Sequence, residues 1–177
     1  KSLRALFIYL VIYLVTDVIG FILMLQDKST TILFNIFTII EFELICYIFH
    51  SEINNFKAKK FIQAIGVLFL IFALSFFGRH FDEGGDLVSS VEALLVVVFS
   101  SLCFYKFLID ETILKLENEY FYWVNLSFLI YFCAAFLIFM NNSFLENCNK
   151  KLAFCLYSLH QLANITCNII FSIGIWK

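Results

Sequence analysis

The sequence predicts an all-α integral membrane bundle of six transmembrane helices, and three observations support this fold class. Six apolar blocks fill nearly all of the 177 residues. The composition is 62% hydrophobic and 15% charged, whereas soluble domains are about half apolar and about a quarter charged. No block shows the polar and apolar alternation of a barrel strand. Because hydrocarbon offers the backbone no hydrogen-bond partner, we expect each block to be a helix.

The individual helices follow from the positions of the blocks, since a helix needs about 20 mostly apolar residues to cross a bilayer. The first block carries one acidic residue, Asp17, and ends before a polar segment at residues 26–30. The second block runs from there to His50, and a lysine-rich segment precedes the third. The predicted helices cover residues 3–25, 31–50, 61–78, 87–109, 120–140 and 152–176.

The connections between the blocks are short, so we expect neighbouring helices to be antiparallel. Gly84 and Gly85 predict a turn between the third and fourth helices. The charged segment 110–119 separates the fourth helix from the fifth. These features predict a single polytopic domain over residues 1–177. The chain begins at Lys1, and a seventh helix upstream of Lys1 is compatible with the sequence.

Basic residues near the helix ends predict the orientation, because cytoplasmic loops carry an excess of Lys and Arg. One side of the membrane would hold Lys1, Arg4, Lys57, Lys59, Lys60, Lys106, Lys115 and Lys177. The other side would hold Lys28, Arg79, Lys150 and Lys151. The excess favours a cytoplasmic C-terminus. Five lysines are then candidates for contact with a cytoplasmic partner or anionic lipid: Lys57, Lys59, Lys60, Lys106 and Lys115.

Polar side chains inside the apolar blocks are the candidate functional residues, since such groups usually face protein or water in a membrane. Several recur at helical spacing, as Asn35, Thr38 and Glu41 do in the second block and His160 and Asn164 in the sixth. The pattern is compatible with hydrogen-bonded pairs between helices, with the lining of a water-filled pathway or ligand pocket, and with a subunit interface. The predicted intramembrane polar cluster consists of Asp17, Asn35, Glu41, Glu92, His160 and Asn164.

Motifs that carry chemistry are missing from the sequence. It has no HxxxH, HExxH or CxxC pattern, no glycine-rich phosphate loop and no serine elbow. Its six cysteines are scattered, and most lie within the apolar blocks. We therefore predict no enzyme activity, no catalytic residues, no metal site, no cofactor and no direct binding of nucleic acid.

Three segments, at residues 35–50, 121–140 and 156–176, carry a resemblance to known membrane proteins. The chain resembles small six-to-seven-helix proteins of Bacteroidota that are encoded beside sensor histidine kinases. It also looks like the multi-spanning accessory proteins of some RNA-targeting (type VI) CRISPR loci of the same phylum. The second resemblance implies a membrane accessory in antiviral defence. The positions that match are Asn35, Glu41, Phe42, Trp123, Asn125, His160 and Asn164.

Three functional classes remain compatible with the sequence. The first is a non-enzymatic membrane accessory or sensor-like protein that contacts lipid and acts through a cytoplasmic kinase or nuclease partner, in signalling or antiviral defence. The second is an oligomeric pore or channel lined by the polar stripes, which would require self-association. The third is a small transporter made of two three-helix halves. The accessory is the preferred hypothesis.

Overall fold

The computed structural model describes residues 2–79, 85–109, 119–147 and 150–176, and its regular structure consists of helices. The prediction of an all-α protein with six helices is confirmed. Five of them, α1 to α5, are long and apolar enough to cross a membrane, whereas α6 is not among these five. The helices are α1 (Ser2–Leu25), α2 (Thr31–Glu52), α3 (Phe56–Phe77), α4 (Asp86–Ile109), α5 (Tyr120–Asn147) and α6 (Lys150–Trp176).

Two helix ends differ from the sequence-based prediction by more than two residues. The third helix begins at Phe56 rather than at residue 61, because the Asn55 side chain accepts hydrogen bonds from the backbone N–H groups of Lys57 (2.9 Å) and Ala58 (3.3 Å) and so caps the helix. The fifth helix continues to Asn147 rather than ending at residue 140. In both cases the apolar run is shorter than the helix, since hydropathy reports contact with hydrocarbon and not helical hydrogen bonding.

The end of α1 has the backbone pattern of a Schellman motif. The N–H of Lys28 donates to the carbonyl of Leu23 (3.0 Å), and the N–H of Asp27 donates to that of Met24 (3.1 Å). Asp27 has a φ of 54°, in the left-handed region. The motif reverses the chain and leads it into α2.

The chain divides into two compact units, Lys1–Val88 and Ser89–Lys177. In the first unit, α2 packs antiparallel against both α1 and α3. Its contact with α1 includes the rings of Phe37 and Tyr13, whose centroids lie 5.9 Å apart. Its contact with α3 includes the rings of Phe42 and Phe69, at 4.2 Å. Helix α2 therefore contacts both of the other helices, α1 and α3, and is the shared helix of this unit.

In the second unit, α5 is the shared helix. The ring of Tyr122 lies edge-on to that of Phe104 on α4, with centroids 5.5 Å apart. On another side of α5, the ring of Phe128 lies 5.3 Å from that of Phe171 on α6. Contacts between aromatic rings thus hold both neighbours to α5.

Candidate functional site in the membrane-spanning helices

Glu41 is held by a tyrosine of the neighbouring helix. It lies in the middle of α2 and is only 5% exposed. The hydroxyl of Tyr9 on α1 donates a hydrogen bond of 2.9 Å to Oε1 of Glu41, and Tyr9 is itself buried. Tyr9 lies on the buried face of α1, whose residues recur mostly every three to four positions, and this places its side chain beside Glu41. The carboxyl thus takes part in a hydrogen bond between α1 and α2.

Glu43, two residues further along α2, lies on the side that packs against α3. A Cβ atom built on Gly66 of α3 would lie 3.4 Å from Oε2 of Glu43, so the carboxyl rests on the backbone of that glycine. Oε1 of Glu43 is buried and has no hydrogen-bond partner among the described residues. The sequence prediction left Glu43 out of the cluster. Its position in an apolar run, two residues after Glu41, was a usable signal.

Asn35 is buried near the beginning of α2, with 3% of its surface exposed. It packs against the segment that precedes α4, where a Cβ on Gly85 would lie 2.6 Å from Oδ1 of Asn35. Only a glycine leaves room for the amide at this point. Asn35 therefore takes part in joining α2 to the start of α4 within the first unit.

Asp17 lies on the exposed surface of α1. The neighbouring Thr16 and Gly20 are buried, whereas Val18 and Phe21 are exposed. Asp17 therefore sits at the edge of the face that packs on α2, within the span of highest hydropathy in the chain's described part. An acidic group there needs water or a partner outside the helix pair, since hydrocarbon solvates a carboxylate poorly.

Glu92, His160 and Asn164 belong to the second unit. Glu92 is buried on α4, with 3% of its surface exposed. The imidazole of His160 on α6 lies beside the ring of Tyr131 (5.3 Å between centroids) and that of Phe139 (6.5 Å), both on α5. Its Nδ1 atom is buried and has no hydrogen-bond partner in the described part of the chain.

Asn164 lies one turn further along α6 and bonds within its own helix. Nδ2 of Asn168 donates to the Asn164 backbone carbonyl (3.0 Å) and to its Oδ1 (2.9 Å). The structure thus divides the predicted cluster by unit. Asp17, Asn35 and Glu41 lie in the first, and Glu92, His160 and Asn164 lie in the second.

The second unit also buries polar residues that the sequence prediction did not place in the cluster. Asn125 on α5 donates through Nδ2 to the backbone carbonyl of Ser100 on α4 (3.0 Å), and both residues are fully buried. Ser127 donates to the carbonyl of Cys167 on α6 (3.3 Å). Their signal in the sequence is a polar residue within an apolar run. Residues 125 and 127 face different neighbours because two helical positions differ by more than half a turn.

Four of the predicted basic contact residues lie in the first turns of α3 and near the end of α4. Lys57, Lys60 and Lys106 are exposed, and Lys59 is half-buried. The ammonium group of Lys60 lies 4.6 Å from the centroid of the Phe56 ring. Lys115 lies outside the described residues.

Several of the described polar side chains form hydrogen bonds between helices. No three His, Cys, Asp or Glu side chains come together within the described ranges in a way that could hold a metal ion. Glu41, Asn125 and Ser127 instead bond across helix interfaces. Comparisons with protein-family models, with curated proteins and with solved structures give no match to this chain.

Proposed function

We propose that this chain is a non-enzymatic membrane accessory protein that acts through a cytoplasmic partner bound at the start of α3. The observation that carries the proposal is a basic edge formed by Lys57, Lys59 and Lys60 in the first turns of that helix. The proposal places the protein in a bacterial inner membrane with its C-terminus in the cytoplasm, in agreement with the excess of basic residues on that side.

The electrostatics of a helix supports this use of the basic edge. The N-terminal end of a helix carries a partial positive charge and favours acidic side chains. The first turn of α3 has no acidic residue. Three cations at this end of the helix therefore favour an anionic partner.

The basic edge is also firmly placed, which suits docking. The Asn55 cap orders the first turn of α3, and the contact between Phe42 and Phe69 fixes α3 to α2. Phe56 and Phe61 are exposed on either side of the lysines. Aromatic residues beside lysines are typical of a membrane–water boundary. A partner would thus meet the chain at the membrane surface.

The partner class comes from the resemblance of the sequence, not from the geometry. Proteins encoded beside sensor histidine kinases suggest a kinase, and accessories of RNA-targeting CRISPR loci suggest a nuclease. The proposed role is accordingly to hold or modulate such a partner at the membrane, in signalling or antiviral defence.

Site-specific photo-crosslinking in the native host tests the proposal. A benzophenone amino acid replaces Lys57 or Lys60 in turn. It replaces Lys28 as the matched control, which lies between α1 and α2 on the side of the membrane opposite to the one proposed for Lys57 and Lys60. We expect one cytoplasmic protein to be crosslinked from positions 57 and 60 and not from position 28. Crosslinks to lipid alone from all three positions, or the same protein from all three, would contradict the proposal.

Binding of the captured protein to the purified chain in nanodiscs then tests the charge. The triple change Lys57→Gln, Lys59→Gln and Lys60→Gln should abolish binding, whereas Lys28→Gln should not. Protease accessibility of the C-terminus serves as a control that the orientation of the chain is unchanged.

An oligomeric pore is the second candidate, and the exposed position of Asp17 favours it. An acidic side chain on the outer face of a span could line water between copies. Single-channel recording in planar bilayers tests this. Discrete currents that change with Asp17→Asn, but not with the exposed neighbour Val18→Ala, would support a pore over the accessory role.

A small transporter is the third candidate, since each of the two compact units contains three helices. Transporters are often built from such repeated halves. Saturable uptake of a defined solute into proteoliposomes would support it, and uptake equal to that of empty liposomes would argue against it.

A further inference from the structure

The helix α6 carries an exposed polar line whose position in the membrane follows from its partner α5. The two helices run side by side from the pair Trp123 and Gly174 to the pair Phe139 and His160. The 16 residue steps from 123 to 139 of α5 correspond to about 24 Å along a helix, at about 1.5 Å per residue. Since α5 is apolar enough to cross a membrane, the part of α6 that packs along α5 lies at the same depth as α5.

The polar seam of α6 consists of Ser158, Gln161, Ile165, Asn168 and Ser172. These residues are spaced alternately by three and four positions, which places them on one line along the helix. Ser158 is half-buried and the other four are exposed. The side of α6 that packs on α5 is a different one, which includes the buried Cys167 and Phe171.

Two side chains of the seam need a hydrogen-bond partner from outside the chain's described residues. Ser172 is satisfied, because its hydroxyl donates to the carbonyl of Asn168 (2.8 Å). Gln161 makes no hydrogen bond to another described residue, and Oδ1 of Asn168 accepts none within the described ranges. Asn168 lies opposite the middle of this stretch of α5, and Gln161 lies near its end beside Phe139. Amides on a helix in the membrane favour contact with another polar helix.

We infer that the polar seam is the surface on which a second copy of this chain docks, with the two α6 helices parallel. The argument is complementarity. An amide has a donor and an acceptor and no net charge, so an identical amide complements it and a charged partner is not required. Two copies inserted with the same orientation are related by an axis along the membrane normal, which brings each residue of the seam opposite itself.

The spacing of the seam supports this geometry. Gln161 and Asn168 are seven residues apart, and so are Ile165 and Ser172. A seven-residue repeat is typical of left-handed helix pairs, in which a polar residue in the seam fixes the register. The serines are small and allow the two backbones to approach closely. The inference goes beyond the cytoplasmic partner proposed above and does not depend on it.

The chain provides a matched control on the same helix. The apolar seam of α6 consists of Leu162, Ile169 and Ile173, which are each one position further along than a member of the polar seam and are also exposed. These side chains suit contact with lipid. A second copy that docked through general hydrophobicity would use the apolar seam at least as well.

Self-association is measured by the dependence of energy transfer on the protein-to-lipid ratio in liposomes, with donor- and acceptor-labelled full-length chains. We expect the wild type to associate and the variant Gln161→Leu with Asn168→Leu to associate about 10- to 30-fold more weakly, as expected for the loss of two interhelical amide contacts. The control variant Leu162→Ala with Ile169→Ala should associate as the wild type does. Thermal unfolding and gel filtration verify that each variant is folded.

Photo-crosslinking locates the contact. A benzophenone amino acid at Ile165 should give a chain-to-chain product whose peptides both come from α6, and one at Ile169 should not. A monomeric wild type would overturn the inference, as would association that the control variant weakens more than the amide variant. A product from position 165 that joins α6 to another helix of the same chain, or to a different protein, would overturn it as well.

Discussion

The hydroxyl of Tyr9 donates a hydrogen bond of 2.9 Å to Glu41, across the buried contact between α1 and α2. We expect Tyr9→Phe to lower the free energy of unfolding by about 1–2 kcal/mol, because a buried acceptor loses its donor in hydrocarbon. Unfolding in mixed detergent micelles measures the change. The control is Tyr105→Phe, since Tyr105 is exposed on α4. Equal stability of the Tyr9 variant and the wild type would show that the bond contributes little.

The contact between Gly85 and Asn35 predicts a steric conflict. Gly85→Ala would place a Cβ atom 2.6 Å from Oδ1 of Asn35 and 3.0 Å from Cε1 of Phe77. We expect a loss of about 1–3 kcal/mol in stability, as is usual when a packed site is overfilled. In the double variant with Asn35→Ala, the added loss from Gly85→Ala should be smaller, because one of the two clashing atoms is removed. Strictly additive losses in the same unfolding assay would refute this coupling.

Two helical glycines are expected to respond in opposite directions to the same substitution. A Cβ on Gly174 would lie 2.9 Å from Cβ of Trp123, so Gly174→Ala should destabilise the pair α5 and α6 by about 1–3 kcal/mol. A Cβ on Gly66 would meet only ordinary contacts, at 3.4 Å or more. Gly66→Ala should therefore stabilise the protein by up to about 1 kcal/mol, since glycine is unfavourable in helices.

Each glycine variant serves as the control for the other, because both place the same methyl group in a helix. Thermal or denaturant unfolding of the two proteins side by side gives the comparison. A loss of stability at Gly66 as large as that at Gly174 would mean that the helices pack more closely there than the structure shows.

Asp27 occupies the left-handed position that ends α1, with a φ of 54°. We expect Asp27→Gly to stabilise the protein by up to about 1 kcal/mol, because glycine adopts this conformation without a steric cost. Asp27→Val should destabilise it, since a β-branched side chain is least compatible with a positive φ. The free energies of unfolding of the two variants decide the point. A glycine variant less stable than the wild type would imply that the aspartate side chain has a role beyond the turn.

Hydropathy predicted the helices well where apolar residues reach both ends, as in α1 and α4. It failed at Phe56 and at Asn147, where capping and helical hydrogen bonding extend the helix past the apolar run. Polar groups have a high free energy in hydrocarbon, which predicted that Glu41 and Glu92 face protein rather than lipid, and both are buried. Their partners were not predictable, because a single sequence contains no record of which helix faces lie together. The pairing of Tyr9 with Glu41, and the exposed position of Asp17, depend on that arrangement.

The position of α2 between two neighbours has a mechanical consequence. Glu41 is tied to α1, and Glu43, two positions later, rests against α3. Because both carboxyls belong to α2, a rotation of this helix about its axis would move them together. A rotation of α2 that alters the contact of Glu41 with α1 would therefore also move Glu43 against Gly66 of α3.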